Sequence, residues 1–76
     1  MRHKLRNVRL GKGYKDVEEI SNKIGISASY YYKIEQGKRT PGIVLAKKIA
    51  DILDHTVDEL FFNSNLDEVS NNKKAI

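Results

Sequence analysis

A chain of 76 residues supports one compact domain with a modest core and no second domain. It has no cysteine to staple that core, its apolar runs are far too short for a membrane span, and its basic start leads into no signal-peptide core. The formal charge of +4 is uneven: residues 1–15 carry Arg2, Lys4, Arg6, Arg9, Lys12 and Lys15 without an acid, and residues 50–68 carry Asp51, Asp54, Asp58, Glu59, Asp67 and Glu68 without a base.

Apolar residues recur at helical spacing through most of the chain, and strand-like alternation is not sustained. The first expected helix, about Arg2 to Leu10, buries Leu5 and Val8 and stops at Gly11-Lys12-Gly13. The second opens at Asp16, with Glu19 as its capping-box-like partner, and aligns Val17, Ile20 and Ile24 on one face before Gly25 stops it. Ser27 caps a third helix that runs to Gln36 and ends at Gly37. Only Gly25 to Ser27 separate these two helices, the connection expected of a helix-turn-helix. A fourth helix, about Ile43 to Leu53, repeats Ile43, Ala46, Ile49, Ala50 and Leu53, and either Thr40-Pro41 or Gly42 marks its start. Thr56 and Glu59 form a capping box for a short last helix carrying Leu60 and Phe61. Two regions result: a domain over residues 1–62 and a polar tail over 63–76, read as flexible. Leu66, Val69 and Ile76 within the tail could form a weak amphipathic stretch that orders in a dimer.

The charge distribution reads as an electrically two-sided molecule with a polyanion-binding face, or as an ordinary solvated basic end. On a wheel of about 100° per residue with Tyr31 and Ile34 pointing inward, Ser29 and Gln36 face outward, flanked by Tyr32 and Lys33. Ala28 and Tyr30 take the shoulders, and Glu35 the remaining shoulder near the core. Such a polar face suits either a DNA major groove or plain solvent.

From Val17 to Gln36, VEEISNKIGISASYYYKIEQ carries apolar residues at its fourth, eighth, tenth, fifteenth and eighteenth places, a small residue at the fifth and glycine at the ninth. Within it and beyond, "IGIS", "KIEQGKRTP" and "TVDELF" fall in order at the right separations. Over about residues 4–62 the chain resembles the Cro and phage-repressor (XRE-type) helix-turn-helix regulators. The resemblance implies an all-α, five-helix lambda-repressor-like domain whose helix-turn-helix is formed by helices 2 and 3. It implies a homodimer binding double-stranded operator DNA and a repressor role; the cytoplasmic setting is read from the absent cysteines, the short apolar runs and the lack of a signal-peptide core. Carried over, Ala28, Ser29, Tyr32 and Lys33 become candidates for base edges. Gln36, Lys38, Arg39 and Thr40 become candidates for the DNA backbone, to which the residues themselves add Lys15, as a phosphate contact or a solvated loop residue, and the Tyr30 hydroxyl. The resemblance also pairs Arg9 with Glu35 as a structural ion pair.

Three departures bear on readout. Val17 stands where the family often has a phosphate-binding glutamine, a contact Lys15 could replace. Ala28 and Ser29 are too short for bidentate contacts to adenine, although Ala28 can touch a thymine methyl. Tyr31 puts a large ring beneath the reading helix. Lys33 is the candidate for reading guanine, with a phosphate contact as its alternative. Of Tyr30, Tyr31 and Tyr32, one ring is read as core; the others are phosphate-binding hydroxyls, groove contacts or platforms for single-stranded bases.

An enzyme is disfavoured. His3 and His55 accompany no nucleophile with a base and orienter, Gly11-Lys12-Gly13 follows no strand, and no metal-ligand or cofactor motif is present. An antitoxin that binds a toxin partner as well as its own operator is the alternative function on the same fold; Phe61-Phe62 and the tail are then its docking surface, or else Phe61 completes the core and Phe62 rounds off the domain or a dimer contact.

Overall fold

The computed structural model describes residues 1–62, arranged as α1 (His3–Gly11), α2 (Val17–Ile24), α3 (Ala28–Glu35), α4 (Ile43–Leu53) and α5 (Asp58–Phe62). The expectations placed on residues 63–76 lie outside the described residues. Among those described there is no strand, and no helix is long and apolar enough to cross a membrane.

Side chains within three residues set three of the helix starts. Asp16 accepts the Glu19 amide at 3.0 Å, and Ser27 Oγ accepts the Tyr30 amide at 3.1 Å. At Thr56 the box is reciprocal: its Oγ1 accepts the Glu59 amide at 3.1 Å, and its own amide donates to Glu59 Oε1 at 2.9 Å. Each such cap contributes about 1 kcal/mol. The Asp16 box differs from its expected form, because the Glu19 carboxylate accepts from the amide of Lys15 instead of Asp16, at 3.2 Å. Gly42, in extended conformation, is the N-cap of α4, so Thr40 and Pro41 belong to the preceding loop.

One apolar cluster draws on every helix: Leu5 from α1, Ile20 and Ile24 from α2, Tyr31 and Ile34 from α3, Ala46, Ile49, Ala50 and Leu53 from α4, and Leu60 and Phe61 from α5. Helix α2 packs on α3 and α4, and α1 on α3 and α5. Val8 and Val17 lie at the margin of the cluster, half-buried. Helix α5 is a single π-helical turn, wider than the α-helix expected there, and both of its core residues are buried.

Ile43 departs from the periodic reading of α4. Although it shares the spacing of Ala46 and Ala50, it is 72% exposed and neighbouring Val44 is 82% exposed. Ile43 lines an open groove of about 220 Å³ with Pro41, Val57, Phe61 and Phe62 instead of entering the core. Periodicity specifies a face, but burial also needs a neighbour opposite it.

Candidate nucleic-acid interface

The turn between α2 and α3 is set by backbone chemistry. Gly25 has φ +98°, a left-handed conformation in which a side chain would be strained. It lets the amides of Gly25 and Ile26 both donate to Ser21 O, at 2.8 and 3.0 Å. Ser21 is itself buried, a small side chain in the second helix of the pair. Ser27 then starts α3 immediately, so α2 and α3 form a compact pair with a three-residue connection.

Helix α3 divides sharply into two faces. Tyr31, Ile34 and Glu35 are buried, while Ser29, Tyr32 and Lys33 are exposed and Gln36 half-buried at its C-cap. Positions 29, 32, 33 and 36 follow the i, i+3, i+4, i+7 spacing of one helical stripe. Ala28 and Tyr30 flank the stripe, half-buried. Glu35 lies deeper than the shoulder position assigned from the wheel, at 2% exposure.

Its depth follows from its partner. Arg9 Nε donates to Glu35 Oε2 at 2.8 Å and Nη2 to Oε1 at 3.0 Å, a bidentate pair, while Nη1 donates to the Tyr14 carbonyl at 2.7 Å. The hydrogen bond to Glu35 raises the Arg9 pKa above its ordinary value. The pair joins α1 to the inner face of α3 and to the turn that leads into α2. Alongside, the buried Tyr31 hydroxyl lies beside the Arg9–Glu35 pair but makes no hydrogen bond of good geometry. Burial, and then the Glu35 charge, push its pKa upward, so it stays protonated.

The loop after α3 is anchored to the same helix. Gly37 takes φ +84°, and the amides of Lys38 and Arg39 both return to Lys33 O, at 2.9 and 3.2 Å. The side chains of Lys38, Arg39 and Thr40 are exposed beside the C-terminal end of the Ser29–Gln36 stripe. Lys15 stands apart in the turn before α2, exposed.

Arg2 was not among the expected site residues. Its Nη1 donates to Ile34 O at 2.7 Å and Arg39 O at 3.2 Å, Nη2 donates to Thr40 Oγ1 at 3.2 Å, and the guanidinium lies 5.4 Å from the centroid of the Phe61 ring. Partial burial lowers its pKa. No local spacing signals such a contact, since its partners lie 32 to 38 residues away.

Opposite charges are less segregated than their order in the chain suggests. Lys12, at the C-cap of α1, brings its Nζ within 3.7 Å of Oδ2 of Asp54, at the C-cap of α4. The Glu59 pKa is lowered chiefly by its hydrogen bond from the Thr56 amide, with smaller help from Lys4. Part of the basic α1 surface therefore faces acids within the fold, and Lys33, Lys38 and Arg39 remain as exposed cations on α3 and its loop. Among the described residues, no group of three or more His, Cys, Asp or Glu could hold a metal ion.

A model of the helix-turn-helix family matches residues 5–60, which include α2, α3, the Arg9–Glu35 pair and the loop through Thr40. The sequence is also 37% identical to an uncharacterized HTH-type transcriptional regulator of Bacillus subtilis (strain 168), YqaF, over 97% of this chain and 95% of that protein. No solved structure matches the chain significantly. With a family model spanning α1 to α5 and a full-length relative of the same class, the chain belongs to the helix-turn-helix family, among its Cro and phage-repressor-like, XRE-type members.

Proposed function

We propose that the chain is a homodimeric transcriptional repressor that reads operator DNA by laying α3 in the major groove. Family membership supports DNA binding and transcriptional regulation. The observation that carries the finer reading is the exposed Ser29, Tyr32, Lys33 and Gln36 stripe, continued by a cationic loop whose backbone is bonded to the same helix. A helix needs donors toward base edges and a fixed grip on phosphates to be read in one register.

Within that reading, Lys33 donates to guanine O6 and N7, Ser29 and Tyr32 offer hydroxyls, and Ala28 meets a thymine methyl. Lys38, Arg39 and Thr40 bind phosphates next to the helix end, and Gln36, Tyr30 and Lys15 extend the backbone contacts. One unit this small buries limited DNA surface, so specific affinity calls for two copies on a two-fold site. Exposed apolar side chains for pairing are present: Phe62 is 53% exposed at the end of α5, near Ile43 in the groove they line together. Repression follows from occupying the operator.

Selection of bound sites from random duplex DNA tests this directly. A two-fold repeat with half-sites about 34–36 Å apart, or a multiple of that, is expected. A motif without a repeat would remove the dimer, and no enrichment at all would remove sequence readout. A reporter gene placed behind the selected site should fall in expression when the protein is supplied; a rise would remove the repressor role.

A further inference from the structure

We infer that Arg2 is a positioning residue for the loop that holds DNA phosphates, a role resting on the reading of Lys38, Arg39 and Thr40 given above. At the end of α3 the chain turns out of the helix at Gly37, so Ile34 O receives from its own segment only the Gly37 amide, at 3.1 Å. Arg2 supplies donors there twice over: its amide donates to Glu35 O at 2.8 Å, and its Nη1 to Ile34 O at 2.7 Å. Its positive charge at a helix C-terminus is favoured by the helix dipole.

The same guanidinium reaches into the loop. Both hydrogens on Nη1 are used, one on Ile34 O and the other on Arg39 O. Nη2 donates to Thr40 Oγ1, which leaves the threonine's own hydrogen available for a phosphate oxygen. The loop is thus held from two sides, by the Lys38 and Arg39 amides on Lys33 O and by Arg2 on Arg39 and Thr40. The Phe61 ring beneath the guanidinium fixes Arg2 against α5. Three of its five guanidinium N–H donors go to protein oxygens of α3 and the loop, so Arg2 acts on the phosphate grip through the loop. A loop already ordered before binding loses less entropy on DNA.

Arg2→Lys separates positioning from charge, since a lysine keeps the positive charge but lacks the planar fork that spans Ile34, Arg39 and Thr40. Two measurements apply to the full chain: the slope of log affinity against log salt on duplex DNA, and the rate of trypsin cleavage after Lys38 and Arg39 without DNA. Arg2→Lys is expected to lower the slope by about one, as loss of one phosphate contact does, and to raise loop cleavage several-fold. Combined with Lys38→Ala/Arg39→Ala, it should weaken binding little further. An unchanged slope with unchanged cleavage would overturn the inference. Full additivity with the loop variants would do the same. If Lys38→Ala/Arg39→Ala itself leaves the slope intact, the loop is no phosphate grip, and this role falls with that reading. Should Arg2→Lys not fold, Arg2→Gln, which keeps an amide donor, carries the cleavage comparison with the same two outcomes.

Discussion

Loss of the Arg9 side chain should be the most damaging single truncation outside the apolar cluster. Its pair with Glu35 is almost dry, with side-chain exposures of 6% and 3%. Arg9→Ala would leave the Glu35 carboxylate buried without a cation and remove the donor to the Tyr14 carbonyl, which lies at the partly buried edge of the site. Breaking a buried pair in this way costs about 3–5 kcal/mol. At 0.05–0.15 kcal/mol per residue, a chain this long has about 4–11 kcal/mol in total. The variant should therefore lose about a quarter or more of its stability and melt at least about 12 °C lower, at about 4 °C or more per kcal/mol for a domain of this size. Replacing both partners is the informative control. In Arg9→Met/Glu35→Leu no charge is stranded, so the double variant should be more stable than Arg9→Ala or Glu35→Ala alone. Urea unfolding of the four proteins gives the comparison. If Arg9→Ala lies within about 1 kcal/mol of the parent, or if the double variant equals the sum of the singles, the pair is not a buried, mutually dependent one.

Lys33→Ala should flatten preference among operator variants, by about 1–3 kcal/mol at a guanine, whereas Lys38→Ala should weaken all sequences alike and lower the salt slope by about one. Competition binding on a panel of operator variants distinguishes them, and uniform weakening by Lys33→Ala would assign that lysine to phosphate. Tyr31→Phe should leave stability unchanged or raise it, because its buried hydroxyl makes no hydrogen bond of good geometry and still carries a desolvation cost of about 1–3 kcal/mol; a clear drop in melting temperature would show that the hydroxyl is bonded to the Arg9–Glu35 pair. Because the folded Glu59 pKa is depressed, its cap stabilises the protein above the ordinary glutamate value of about 4.3 and is lost as pH falls through the lower folded value. The melting-temperature gap between parent and Glu59→Gln should accordingly be present at neutral pH and close in acid. A gap independent of pH would mean that the Thr56–Glu59 hydrogen bonds do not depend on the carboxylate charge.

By itself the sequence determined what is decided within three or four residues. Asp16, Ser27 and Thr56 cap helices because each oxygen meets an amide three residues on, and Gly25 and Gly37 end helices because they adopt positive φ readily. The turn between α2 and α3, and the outward stripe of α3, follow from those local choices and from helical periodicity. The partner of Arg9 came from family resemblance, since nothing in its spacing points to a carboxylate 26 residues away. Only the tertiary structure decided the depth of Glu35, the exposure of Ile43 and Val44, the approach of Lys12 to Asp54, and the reach of Arg2 across α3 to Thr40. Each of these depends on which surface another helix covers, and on where a long flexible side chain ends once distant segments meet. Periodicity assigns a residue to a face; whether that face meets core, solvent or a guanidinium is settled by packing.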